Sequence, residues 1–163
     1  RRYRLSRPEV ARAIEALAVI APRRRVSSLA AASAAERLRQ GRTCYDHLAG
    51  RLGVEITDAL LARRALRRAD GGFVVSGQGE RLLGSISVDV GAARERRRVF
   101  ALACQDWTER RSHLAGALGA ELCDRLFEIG WVERQGRGRA AALSEAGGAG
   151  LRELLQLDLE RSA

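Results

Sequence analysis

The chain has 163 residues, a formal net charge of +9 and 46% apolar content. That length suits one domain or two small ones, and the apolar share excludes a wholly disordered chain. The longest apolar stretch, Val10 to Ala21, is broken by Arg12 and Glu15, so no run approaches the roughly 18–20 residues of a membrane span. No secretory leader pattern opens the chain, and three cysteines (Cys44, Cys104, Cys123) make an odd count, poor material for a disulfide framework. The expectation is a cytoplasmic protein with free thiols.

All 29 basic residues are arginine, and there is no methionine. Because the chain opens on Arg1-Arg2-Tyr3-Arg4, its first residue is not expected to be the natural start. The charge is uneven: residues 1–25 carry +6, residues 26–103 carry +5 and residues 104–163 carry −2. The excess concentrates at the front and in two runs, Arg23-Arg24-Arg25 and Arg94-Glu95-Arg96-Arg97-Arg98. Such runs read either as solvated linkers or as a nucleic-acid contact.

Arg2-Tyr3-Arg4-Leu5 alternates like a short strand. Ser6 and Glu9 then form a capping box with Pro8 in the first turn, and Val10, Ala13, Ile14, Leu17, Ala18 and Ala21 recur at helical spacing. The helix is apolar around most of its circumference, which predicts a partner helix. Residues 1–22 resemble the end of an ArsR-type winged helix-turn-helix repressor, in which a basic-aromatic wing strand runs into a C-terminal dimerisation helix. The resemblance implies homodimerisation through Val10, Ile14, Leu17 and Ala21, phosphate contacts from Arg2 and Arg4, and operator-reading helices upstream of Arg1. It departs from the family in length, since typical members end soon after this helix, so the family's usual metal sites do not carry over.

Residues 23–43 read as a linker entering an alanine-rich helix, with Ser33 to Glu36 as a second capping box. An internal repeat follows. His47-Leu48-Ala49-Gly50-Arg51-Leu52-Gly53 recurs sixty-six positions on as His113-Leu114-Ala115-Gly116-Ala117-Leu118-Gly119, and Glu55, Asp58 and Leu60 recur as Glu121, Asp124 and Leu126. Ser76 to Gly79 likewise aligns with Ser144 to Gly147. Each copy is one structural module, spanning residues 44–90 and 91–163.

Each module predicts a short helix over His-Leu-Ala-Gly ending at Gly53 or Gly119, a second helix from about Glu55 to Ala65, a hairpin turning at Asp70-Gly71-Gly72 or Gln135 to Gly138, and a closing helix capped by Ser76 or Ser144. That is the order of a winged helix. The expected fold is therefore mainly α: a dimerisation helix followed by two tandem degenerate winged-helix units with small hairpin wings. The second helices carry Glu55, Thr57 and Asp58, or Glu121, Cys123 and Asp124, near their starts. Carboxylates there would face phosphates, which favours packing or sensing over DNA reading.

Both copies hold Cys-x-Asp followed by a histidine: Cys44, Asp46 and His47 in the first, Cys104, Asp106 and His113 in the second. Thiolate, imidazole and carboxylate are all metal ligands, and copies packed about a pseudo-twofold axis would bring the sets together. The other readings are a small buried cysteine, an aspartate cap and a polar first-turn histidine. The copies also differ in spacing, since His47 follows Cys44 by three residues and His113 follows Cys104 by nine. Tyr45, Trp107 and Trp131 are candidates for an aromatic effector cleft, or ordinary core. Cys123 reads as packing.

No nucleophile-base arrangement or phosphate loop appears, so no enzyme is expected. The sequence points to the dimerising and effector-sensing part of an ArsR-like repressor that leaves DNA on binding a zinc- or cadmium-like ion, a thiol oxidant or a small molecule. The competing readings are a ligand-free interaction module, and direct nucleic-acid binding through the arginine runs.

Overall fold

The computed structural model describes residues 7–22 and 28–157. The expectations placed on Arg2, Arg4, Ser6 and the run Arg23-Arg24-Arg25 lie outside them. Helix α1 (Pro8–Ile20) has Arg7 at its N-cap, with no side-chain cap bond, and proline in its first turn, where a missing N–H costs nothing. Its Ala11 and Glu15 face the body, while Val10, Ile14, Leu17 and Ile20 face outward. Helix α2 (Leu29–Gln40) starts one turn before the expected box: the cap is Ser28, whose hydroxyl accepts from the Ala31 amide at 3.2 Å. Ser33 lies inside the helix and accepts from Arg37 at 2.7 Å.

The duplication governs the rest. The first copy runs β1 (Arg42–Cys44), β2 (His47–Ala49), α3 (Gly50–Ala62), β3 (Leu66–Ala69), β4 (Gly72–Val75) and α4 (Gly77–Gly84). After α5 (Val90–Glu95) the second runs β5 (Leu102–Gln105), β6 (Ser112–Ala115), α6 (Gly116–Glu128), β7 (Val132–Arg134), β8 (Ala141–Leu143) and α7 (Glu145–Leu155). The hairpins at residues 66–75 and 132–143 stand where the turn chemistry predicts. Ser76 and Ser144 cap the closing helices, accepting from the Gly79 and Gly147 amides at 3.0 and 2.9 Å.

The front of each module corrects the sequence reading. His-Leu-Ala forms a strand of an opening hairpin, not a helix, and the helix begins at Gly50 or Gly116 instead of Glu55 or Glu121. Gly50 and Gly116 turn the chain out of the strand at φ +75° and +81°, conformations that favour glycine. Gly53 and Gly119 are not helix stops. A Cβ on either would lie 2.5 Å or 2.6 Å from the carbonyl oxygen of Leu48 or Leu114, so they let the helix lie against its own strand. Among the described residues eight short strands stand beside helices that make up about half of them, which fits an α+β fold where a mainly α one was expected.

The copies interlock. Strands β3-β4-β5-β6 form one sheet in which Gly72 of the first copy pairs with Leu102 of the second, while Arg42 bridges to Ala140 in the equivalent reverse contact. The shared core repeats the offset of sixty-six: Leu48, Leu52, Ile56 and Leu60 are buried with Leu114, Leu118, Leu122 and Leu126. Burial of each such side chain is worth about 1.5–3 kcal/mol, so the pseudo-twofold interface is the hydrophobic core itself. Among the described residues no helix is long and apolar enough to cross a membrane.

Candidate metal centre

Each opening hairpin sets a cysteine directly opposite a histidine. Cys44 pairs with His47 across β1-β2, and Cys104 pairs with His113 across β5-β6. The extra residues between Cys104 and His113 are taken up by the longer loop at the tip of β5-β6 and leave the register unchanged. Packing the two hairpins about the pseudo-twofold axis brings Cys44, His47, Cys104 and His113 together. All four are buried, and one ligand atom from each lies within 4.8 Å of the other three. The imidazole centroids are 5.1 Å apart.

Ligand atoms around a tetrahedral zinc-sized ion stand about 3.3–3.8 Å apart, so closure on an ion needs movements on the order of 1 Å. The donor set is two soft sulfurs and two borderline nitrogens. Nε2 of His47 and both ring nitrogens of His113 are buried without a hydrogen bond. Orphaned buried nitrogens are costly, and an ion accepting the one lone pair that each ring offers removes part of that cost.

The two thiols differ in their electrostatics. The Cys44 thiol is pushed up to about 12, first by its hydrogen bond with Cys104 and then by burial. The same hydrogen bond draws Cys104 below the ordinary thiol value. Burial acts to lower His47, yet its hydrogen bond to Asp46 and the neighbouring Cys44 leave it raised, whereas burial dominates at His113 and lowers it. Cys123 is apart from this cluster, in the shared core, and burial pushes its thiol up to about 12.

The two aspartates support the histidines rather than joining them. Asp46 lies 3.2 Å from His47 Nδ1 and is bound in turn by Arg98. Asp106 is wholly buried, with Oδ2 3.4 Å from His113 Nδ1. Its Oδ2 accepts from Arg42 Nη2 at 2.9 Å and from the Gly50 amide at 2.7 Å; Oδ1 accepts from the Thr108 amide, the Thr108 hydroxyl and the Glu109 amide. Burial would raise this carboxyl, but the Thr108 hydroxyl, Arg42 and the two amides outweigh it and hold it well below the usual carboxylate range. Asp46 orients His47 through Nδ1, while Asp106 stands behind His113 Nδ1 without a hydrogen bond to it; in both rings Nε2 is left for an ion.

The remaining sequence candidates fall elsewhere. Tyr45 is exposed at the β1-β2 turn with φ +60°. Trp107 lies against the Arg42 guanidinium, 4.8 Å from its ring centroid, while Trp131 sits against α7, where Gly150 leaves room for its ring. Within the run 94–98, Arg94, Arg96 and Arg98 are paired with Glu80, Glu121 and Asp46. Thr57 is buried in α3, donating to the Gly53 carbonyl and accepting from the Leu114 amide, both at 2.8 Å. Asp58 pairs with Arg111 and Glu55 with Arg51.

Sequence reading passed over Arg42 and Glu15. Arg42 is fully buried at the position where the second copy has Leu102, and that difference between aligned copies was the one available signal.

Neither a family model nor a solved structure matches the chain. The chain is similar to a protein of Bacillus subtilis (strain 168) described as the uncharacterized HTH-type transcriptional regulator YdfF, at 38% identity over 147 residues. The match covers 90% of this chain, which spans 65% of that relative's length.

Proposed function

We propose that the chain is the dimerising and effector-sensing region of an ArsR-like transcriptional repressor, a non-enzymatic cytoplasmic protein. Its effector is a zinc- or cadmium-like ion held by Cys44, His47, Cys104 and His113. Similarity to an HTH-type regulator supports the regulatory part of this reading. The observation that carries the sensing part is the convergence of four buried ligand atoms within 4.8 Å.

Operator DNA is bound by a segment outside these 163 residues. The outward row Val10, Ile14 and Leu17 on α1, ending near Ala21, supports homodimerisation through that helix. Ion binding shifts the population towards a dimer whose two DNA-reading elements no longer match two half-sites. Each winged-helix-like copy serves as a packing and sensing unit: the helices that would read DNA are engaged by the opposite copy, as Thr57 is by Leu114. The ion pairs of Arg94, Arg96 and Arg98 weigh against direct nucleic-acid binding through that run. A thiol oxidant is the second reading, favoured by the hydrogen-bonded Cys44 and Cys104 thiols at the same place.

Native mass spectrometry of the reduced protein with zinc, cadmium or a disulfide-forming oxidant tests the proposal. One ion per chain, lost in Cys44→Ser and His113→Ala, is expected. No bound ion together with unreactive Cys44 and Cys104 thiols would refute sensing at this cluster.

A further inference from the structure

The two halves of the cluster are unequally connected to the rest of the molecule. The carboxylate behind His47, Asp46, is half-buried and tied to Arg98. The carboxylate behind His113, Asp106, is enclosed and tied to Arg42. Arg42 is a hub. Its Nη1 donates to the Leu38 carbonyl of α2 at 3.1 Å and to the Thr108 hydroxyl at 3.3 Å, and its Nη2 holds Asp106. That same Nη2 lies 3.8 Å from Glu15 Oε2 of α1, an oxygen that is buried and has no hydrogen bond. The other Glu15 oxygen accepts from Arg139 at 3.0 Å.

A continuous line of buried polar and charged groups thus runs from His113 through Asp106 and Arg42 to Glu15, and it ends on the only buried charged side chain of α1 among the described residues. Arg42 has no counterpart in the second copy, where Leu102 holds the equivalent register, so only the His113 half of the cluster reaches α1.

We infer that Arg42 is the positioning residue that couples ion occupancy at the cluster to the docking of α1. The inference rests on the ion-binding reading above. With His113 Nε2 bound to an ion, its Nδ1–H is committed as a donor to Asp106 Oδ2, an oxygen already shared by Arg42 and the Gly50 amide. An acceptor taken by a third donor holds Arg42 less strongly. The guanidinium then moves towards the unsatisfied Glu15 oxygen and tightens α1 against the body. Two sites linked in this way are coupled reciprocally, so anything that fixes α1 raises ion affinity in the same proportion.

Amide hydrogen exchange of α1, read by mass spectrometry on the 163-residue chain with and without zinc, tests the coupling, with bound zinc counted in parallel. Zinc is expected to slow exchange across residues 11–20 at least fivefold in the wild type. In Arg42→Leu, which installs the second copy's residue, zinc still binds but the slowing falls below twofold. Glu15→Gln keeps the shape of α1 and removes only its charge; it gives the same result and decides the matter if Arg42→Leu does not fold. A wild type that binds zinc while α1 exchange is unchanged or faster overturns the coupling and leaves the ion site standing. Full slowing retained in Glu15→Gln also overturns it. A wild type that binds no zinc overturns both readings.

Discussion

Replacing Asp106 by asparagine separates charge from shape at the most enclosed carboxylate among the described residues. The side-chain oxygen of asparagine can keep the donors now bound to Oδ1, from Thr108 and Glu109. Its amide nitrogen then takes the place of Oδ2, facing two other donors, Arg42 Nη2 and the Gly50 amide. Both are left without an acceptor, and the buried guanidinium loses its nearest countercharge. Breaking a buried pair by removing one partner costs about 3–5 kcal/mol. At about 2.1 cal/mol/K of unfolding entropy per residue, 163 residues give about 0.34 kcal/mol/K, so Tm should fall by about 9–15 °C at neutral pH. The pH dependence carries a sign. Folding lowers the Asp106 carboxyl, so its stabilisation is complete above the unfolded value of about 3.9 and is lost as pH falls below it. The gap between wild type and variant should therefore be constant from about pH 5 to 8 and narrow below about pH 4. Calorimetry without added metal measures both. A fall of less than about 3 °C at pH 7, or a gap that does not narrow in acid, would refute the account of Asp106 as the charged keystone of this loop.

Three further outcomes follow from the same geometry. Zinc at one hundred times its Kd should raise Tm by about 8 °C, from about 2.7 kcal/mol of linkage, and the rise should vanish in Cys104→Ser. Bound zinc should slow alkylation of Cys44 and Cys104 together and leave Cys123 as it was, as peptide mapping would show. Leu17→Asp should shift sedimentation towards the monomer and leave Tm within about 1 °C, because the residue is 63% exposed in the single chain and contributes little to its core.

The hairpins at residues 66–75 and 132–143, the serine caps and the two Cys-x-Asp sets with their histidines were legible because duplication displayed each of them twice. What the sequence disguised was distance along the chain. The unequal spacing of three and nine residues between cysteine and histidine spoke against a common site, yet strand register counts only residues that pair, and the surplus sits in a loop. His-Leu-Ala is too short for either period to assert itself, so a three-residue strand passed for the start of the helix that follows it. Gly53 and Gly119 looked like helix stops because their role depends on a strand carbonyl that lies beside them only after folding. Arg42 was invisible for the same reason: its carboxylate partners lie 64 residues downstream and on a separate helix upstream.

The crosswise pairing of the copies fixes how the cluster can be completed. One module alone supplies one cysteine and one histidine, half of a tetrahedral shell, so an unduplicated ancestor could have closed such a shell only by meeting a second molecule. With both modules in one chain that meeting is intramolecular, and its effective concentration is set by the connecting chain and not by protein abundance. A single chain also frees the two halves from having to be identical. With Arg42 and Leu102 in equivalent registers, only one half is tied to α1, an asymmetry closed to a strictly symmetric dimer.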